Sequence, residues 1–320
     1  MRRFTIRPAL IALVASLAAC STPAPPSPPP APTPVAPPVA LDRTVAEAAS
    51  VYVAFARSMT EATPGFDNPE SVQAFLSRGA AYEPVQLSRG LIAYAAIIAL
   101  QTPDYVSGVR ALAADPVQRR RLADDIQRDP SYAALLPGAE AAASRIASVL
   151  SPDLQAFSLL AETIEADAYV IQERSDPRRR WAALPVADRA GRLGRAKAVS
   201  AAGLPTSHED ALRLFASAHA LAEPAEGVAS YPAAYSPAVT RALAVAALAA
   251  LGGGPTDTGQ ADLLAQDQGG DFCLSMSKLN LFQCLAASRP SYEDMFCIGR
   301  HVVRDLETCI RTSFSPASAP

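Results

Sequence analysis

The sequence predicts an all-α protein: a multi-helix body followed by a C-terminal antiparallel helical hairpin that disulfides hold together. Three observations predict this class. Alanine, a strong helix former, makes up about a fifth of the 320 residues. From Leu41 onward the apolar residues recur at helical spacing, and a capping side chain repeatedly precedes a proline, as at the first turn of a helix. Alternating β-branched runs are scarce, so strands are not expected.

Composition and charge limit the function. Apolar residues make up 50% of the chain and charged residues 18%, which is typical of a globular protein. A formal net charge of -3 argues against a dedicated nucleic-acid-binding protein. The chain has only 3 histidines, which leaves little room for histidine-based metal or acid–base chemistry. We therefore expect no nucleic-acid partner, and we predict no catalytic residue, no metal site and no cofactor.

Residues 1–19 have the features of a cleaved export signal. Arg2, Arg3 and Arg7 precede an apolar run from Ala9 to Ala19, which is too short to span a bilayer core of about 30 Å. The tetrad Leu17-Ala18-Ala19-Cys20 resembles the lipobox of bacterial lipoproteins. That resemblance implies that Cys20 carries the lipid, and that Ser21 directs the protein to the periplasmic face of the outer membrane. An ordinary secreted protein is the alternative.

Residues 20–40 form the predicted tether between the lipidated cysteine and the folded body. Ten of the eighteen residues from Pro23 to Ala40 are proline, which excludes a helix or a sheet. Such a segment prefers an extended conformation of about 3.1 Å per residue, so it reaches roughly 55 Å from the membrane.

Residues 41–254 form the predicted helical body. Its start signals are Asn68-Pro69, Thr102-Pro103, Asp115-Pro116, Asp129-Pro130, Ser151-Pro152, Asp176-Pro177 and Ser236-Pro237. The predicted helices of the whole chain are 43–60, 69–78, 87–101, 103–113, 116–128, 138–150, 152–174, 177–200, 207–222, 237–251, 273–287 and 291–312. The apolar segments 91–100 and 242–254 are each shorter than a membrane span, so they are interpreted as central buried helices, with a membrane-embedded protein as the alternative.

The break Gly252-Gly253-Gly254-Pro255 and the polar stretch that follows it are interpreted as a boundary, with residues 255–270 as the linker to a C-terminal module, residues 271–320. This module contains Cys273, Cys284, Cys297 and Cys309, and an exported chain with clustered cysteines is expected to form disulfides. The segment 288–291 reads as a turn between two antiparallel helices. Cys284 and Cys297 lie at nearly equal distances from this turn, as do Cys273 and Cys309, so these two pairs are predicted. A zinc site is the alternative, although the cysteine spacing does not resemble paired Cys-x-x-Cys motifs.

Several polar residues are weighed as sites. A basic segment suggests a patch for an anionic partner; its members are Arg178, Arg179, Arg180, Trp181, Arg189, Arg192 and Arg195. The alternative reading, a solvated helix with Trp181 turned inward, is the one that the sequence favours. The histidines at 208, 219 and 301 and the acidic residues Glu162, Glu165 and Asp167 complete no recognisable catalytic or metal motif.

These observations favour a membrane-anchored protein of the bacterial cell envelope without enzymatic activity, which docks a protein partner or an anionic envelope polymer. Two alternatives remain open: a binder of small apolar ligands or lipids in the helical core, and an enzyme whose site is assembled from distant helices.

Overall fold

The computed structural model describes residues 38–61, 65–174, 176–220, 235–252, 258–264 and 267–315. The predicted signal peptide, Cys20 and most of the tether lie outside these residues. Within them the protein is all-α, and its only β-type pairing is an isolated bridge between Pro185 and Pro290. The α-helices are α1 (Arg43–Thr60), α2 (Pro69–Ala80), α3 (Pro84–Leu100), α4 (Pro103–Leu112), α5 (Pro116–Arg128), α6 (Ala139–Glu173), α7 (Arg189–Ala202), α8 (His208–Ser217), α9 (Pro237–Ala250), α10 (Thr258–Leu264), α11 (Gln268–Ala287), α12 (Ser291–Ile298) and α13 (Asp305–Phe314).

Capping side chains start most of these helices, as the sequence predicts. The Asn68 side chain accepts a hydrogen bond from the Ser71 amide at 2.8 Å, and Ser236 Oγ accepts one from the Val239 amide at 3.2 Å. These bonds satisfy amides that have no partner within the first turn of a helix. The predicted starts at Pro69, Pro103, Pro116 and Pro237 are confirmed, whereas the starts at 130 and 177 lead into short 3₁₀ helices, Pro130–Leu135 and Pro177–Ala183.

Several predicted helix boundaries differ from the structure, and the predicted start at Pro152 and the predicted helix 177–200 are wrong. Pro152 does not begin a helix but lies inside α6, which continues over 35 residues. Ile146 and Leu150 before the proline and Leu154 and Phe157 after it are all buried, and this burial offsets the backbone hydrogen bond that proline cannot make. The predicted helix 177–200 is instead the 3₁₀ helix Pro177–Ala183 followed by α7, because Pro185 interrupts the segment.

The apolar helices α3 and α9 lie at the centre of the core. Of the residues of these helices, 12 of 17 in α3 and 11 of 14 in α9 are buried, and α3 packs against α1, α6, α9 and α11. A Cβ at Gly90 would lie 2.7 Å from the Ala48 carbonyl oxygen, so a glycine is required where α1 and α3 approach closely. The prediction that segments 91–100 and 242–254 are buried helices is confirmed for their described residues.

No single helix in the described part of the chain is both long enough and apolar enough to cross a membrane. The helices α3 and α4 meet the length and composition criteria only when taken together, and they are bent by 82° relative to each other.

Two disulfides hold the C-terminal hairpin in the predicted pairing. Cys284 on α11 is bonded to Cys297 on α12, and Cys273 on α11 is bonded to Cys309 on α13. Between α12 and α13 the helix contains a π-helical segment, Gly299–Arg304, where a Cβ at Gly299 would lie 2.9 Å from Glu165 Cγ of α6. The backbone of the π segment therefore packs directly on α6.

The predicted linker and module boundary do not divide the core. Residues 255–270 include α10 and the first residues of α11, and the C-terminal helices pack on α3, α6 and α9. The described residues all belong to one compact unit. The disulfide-linked hairpin is thus a part of the helical body.

Candidate functional site

The predicted basic patch is not continuous, because its central member is buried. Arg192 is 1% exposed and forms an ion pair with Asp294, which is 0% exposed. Arg192 also donates to the Leu285 carbonyl, while Asp294 accepts further hydrogen bonds from Ser288 Oγ at 2.7 Å and Gln73 Nε2 at 3.0 Å. This network joins α2, α7, α11 and α12, so Arg192 cannot contact an external partner.

Other arginines of the segment also make bonds within the fold. Arg189 donates to the Ser288 and Ala286 carbonyl oxygens at 2.8 and 2.9 Å, which satisfies free carbonyls at the C-terminal end of α11. Arg179 forms an ion pair with Asp167 of α6 at 2.6 Å. Arg195 pairs with Asp188 at the start of its own helix at 3.0 Å, and both side chains of this pair are exposed.

Two arginines of the segment are free to contact a partner. Arg178 and Arg180 are exposed on the 3₁₀ helix Pro177–Ala183, with no ion pair to another described residue. Trp181, the next residue, is partly buried and packs on the core. The Arg179 guanidinium lies 5.8 Å from the Trp181 ring centroid. The inward tryptophan is the alternative reading of this segment, and the structure supports it.

An aromatic groove lies between two of the helices against which this 3₁₀ helix packs. It has a volume of about 250 Å³ and runs between α6 and α12, where Tyr169, Tyr292 and Phe296 provide its aromatic surface. The Tyr169 and Phe296 rings meet edge to face with centroids 5.7 Å apart. The 3₁₀ helix that carries Arg178 and Arg180 packs against both α6 and α12, the two helices that form the groove.

The packing of α6 and α12 on the core explains why these aromatic side chains lie in contact. Ala168 of α6 is buried, while Tyr169, the next residue, is 49% exposed at the edge of the interface. On α12 the buried residues Ser291, Met295 and Cys297 fix the helix against the core, and the Cys284–Cys297 disulfide anchors it to α11. Tyr292 and Phe296 are four residues apart and therefore lie on one face, towards α6.

The charges around the groove are mixed, and most of them are paired. Glu293 in the groove accepts a hydrogen bond from the Arg289 amide at 2.7 Å, and Glu165 on α6 pairs with Arg304 at 2.7 Å. Asp167 forms an ion pair with Arg179. The groove therefore combines aromatic surface with the carboxylate of Glu293, and it is not a uniformly positive surface.

The histidines occupy separate places. His301 Nδ1 lies 3.0 Å from Asp305 Oδ2, and His219 Nδ1 lies 2.7 Å from the Phe215 carbonyl oxygen. His208 is the exposed first residue of α8. In the described ranges no group of three or more His, Cys, Asp or Glu side chains is placed to hold a metal ion.

Sequence reasoning missed the aromatic groove. Its residues come from two helices separated by more than 100 positions, and no motif connects them. Tyr169 and Tyr292 read as ordinary helical residues, and only the predicted turn at 288–291 pointed to helices packed against each other in this region.

No protein-family model matches the chain, and comparisons with curated proteins and with solved structures find no significant match.

Proposed function

We propose that the protein is a membrane-anchored lipoprotein of the bacterial cell envelope that docks a protein partner through the α6–α12 groove. The aromatic groove between α6 and α12, two helices that also contact the 3₁₀ helix of Arg178 and Arg180, is the observation that carries the docking role. Tyrosine, tryptophan and arginine dominate the binding energy of protein–protein interfaces, and a partner side chain buried between aromatic rings is a common anchor.

The mixed charges favour a protein partner over an anionic polymer. Binding of a polyanion draws on several unpaired basic groups, because each neutralised charge adds to the affinity. Here only Arg178 and Arg180 of the predicted patch are exposed without an ion pair among the described residues. A partner segment with one apolar side chain for the groove and one carboxylate for an arginine matches this surface better.

The anchor rests on the sequence of the first 21 residues. Attachment of lipid to Cys20 would supply several acyl chains, and two chains already suffice for stable membrane anchoring. The proline-rich tether would then hold the groove away from the membrane surface, within reach of envelope partners.

Metabolic labelling with radioactive palmitate tests the anchor. We expect label on the wild-type protein and on a Ser21→Ala control, and none on Cys20→Ala. Label that persists on Cys20→Ala would contradict the proposal.

Crosslinking and purification from intact envelopes test the docking role. We expect proteins that are enriched with the wild type to fall at least tenfold with Tyr169→Ala and to be retained with Tyr132→Ala, which removes a similarly exposed tyrosine outside the groove. Enrichment of envelope polysaccharide in place of protein, or equal recovery with both variants, would overturn the proposal.

A further inference from the structure

A second pocket, on another part of the body, has the chemistry of a ligand site. It has a volume of about 270 Å³ and lies where α1, α3 and α6 meet, lined by residues that include Tyr52, Arg57, Tyr94 and Asp153. The Tyr52 and Tyr94 rings are tilted by 33° with centroids 5.7 Å apart. Two aromatic rings and a carboxylate thus converge on one small space.

Asp153 is the unusual member of this pocket. Its carboxyl group is half-buried, and no hydrogen bond or ion pair to it is found within the described residues. Burial raises the pKa of the Asp153 carboxyl, because a carboxylate loses hydration there without gaining a partner. A buried charge without a partner is unfavourable, and a bound cation would compensate it.

The neighbouring arginine does not supply that compensation. Arg57 donates two hydrogen bonds to Asp210 of α8, at 3.1 and 3.3 Å, so its charge is already balanced. The Asp210 carboxylate is buried while the Arg57 side chain reaches the surface at the edge of the pocket. The negative charge of Asp153 therefore remains.

The two tyrosines differ in what they contribute to the pocket: Tyr94 contributes aromatic surface, and Tyr52 contributes a hydroxyl group. Tyr52 is 1% exposed, and its hydroxyl has no hydrogen-bond partner among the described residues. Burial and the Asp153 carboxylate raise the pKa of Tyr52, and the same two causes raise the pKa of Tyr94. Both phenol groups therefore stay neutral and lie within electrostatic reach of the carboxylate.

We propose that this pocket binds a small organic ammonium ion, with Asp153 as the counter-charge and the partly exposed Tyr94 ring as the cation–π partner. A cation over a tyrosine face is attracted by the negative face of the ring, and a carboxylate gives a charge-assisted contact. A metal ion fits less well, because the pocket has one carboxylate and the described residues hold no cluster of three metal-ligating groups. The pocket volume limits the ligand to a small amine.

Isothermal titration of the full chain in detergent with choline and with ethanolamine, at constant ionic strength, tests the proposal. We expect saturable binding of at least one of these amines. The neutral choline isostere 3,3-dimethyl-1-butanol should bind at least tenfold more weakly. Equal binding of the alcohol, or no saturable binding of either amine, would overturn the proposal.

Variants assign the binding to the pocket. Asp153→Asn should weaken amine binding at least tenfold, whereas Asp124→Asn, which removes an exposed carboxylate from α5, should not change it. Tyr94→Leu provides a second test at a different residue and should weaken binding at least threefold. Amine affinity that is unchanged in both pocket variants contradicts the assignment.

The ammonium site is independent of the docking proposal. Tyr169→Ala in the α6–α12 groove should leave amine affinity unchanged, and Asp153→Asn should leave recovery of the envelope partner unchanged. Thermal unfolding followed by circular dichroism checks that each variant is folded. Asp153→Asn should melt at or above the wild-type temperature, because it removes an unpaired charge.

Discussion

Arg192 and Asp294 form an ion pair in the protein interior. The Asp294 carboxylate also accepts hydrogen bonds from Ser288 Oγ and Gln73 Nε2. A buried ion pair gains little over an apolar pair of the same size, but removal of one member leaves an uncompensated charge. The network thus specifies how α7 packs on α12 and on the end of α11.

Replacement of Arg192 by methionine should lower the free energy of unfolding by about 3–5 kcal/mol, because Asp294 is left buried without its counter-charge. Arg195→Met is the matched control on the same helix. Its pair with Asp188 is exposed, and its loss should cost less than about 1 kcal/mol. Urea denaturation measures both values, and similar losses for the two variants would contradict the internal role of Arg192.

Lys278 is one of two lysines in the chain, and it is buried on α11. Its ammonium group donates to the Ala80 carbonyl oxygen at 2.8 Å and lies 3.4 Å from the Tyr82 ring centroid. Burial lowers the pKa of Lys278 to about 7 from its ordinary value of 10.5. Between these values the unfolded chain binds a proton that the folded chain does not bind.

Stability should therefore rise with pH from about pH 7 to about pH 10 on account of Lys278. Urea denaturation at pH 7 and pH 9.5 should show the wild type gaining at least about 1 kcal/mol relative to Lys278→Met over this interval. Lys197→Met removes the other lysine, from an exposed position, and is the control. A wild-type stability that does not change relative to Lys278→Met would show that Lys278 keeps its charge on folding.

Among the helices, α11 is linked to α12 and to α13 by the two disulfides, and α12 also lines the groove. The Cys284–Cys297 bond fixes α12, which presents Tyr292 and Phe296 to the groove, while Cys273–Cys309 fixes α13 to α11. The cysteines are separated by 13 and 36 positions respectively. A longer loop loses more conformational entropy in the unfolded chain when it is closed.

Removal of the longer-range disulfide should therefore cost more stability. We expect Cys273→Ala with Cys309→Ala to lower the free energy of unfolding by about 4 kcal/mol, and Cys284→Ala with Cys297→Ala by about 3 kcal/mol. Denaturation under non-reducing conditions measures both. A larger loss for the second pair would show that native packing of α12, more than chain entropy, determines its contribution.

At the scale of the whole molecule, local signals predicted the elements and missed the sites. Proline with a capping side chain correctly marked several helix starts, because that preference acts within one turn. The disulfide pairing followed from the symmetry of an antiparallel hairpin. The start at Pro152 was wrong, since burial on both sides of the proline outweighs its local preference.

Contacts between distant elements account for what the sequence could not predict. The arginine segment read as a surface patch, yet Arg192 is balanced by Asp294, about 100 positions away. The pocket that contains Tyr52, Tyr94 and Asp153 is also assembled from distant elements, α1, α3 and α6. No spacing in the sequence connects these three residues. Charge compensation in three dimensions, and not the order of charges along the chain, decides which groups remain free.

We propose that a lipid-anchored helical body docks a protein through its α6–α12 groove. Site-specific photocrosslinking in living cells tests it most directly, with benzoylphenylalanine in place of Tyr169 and, as a control, of Tyr132. We predict a discrete protein adduct from position 169 that is absent from position 132 and is lost when Arg178 and Arg180 are both changed to glutamate. No adduct at position 169, or the same adducts from both positions, would contradict the claim.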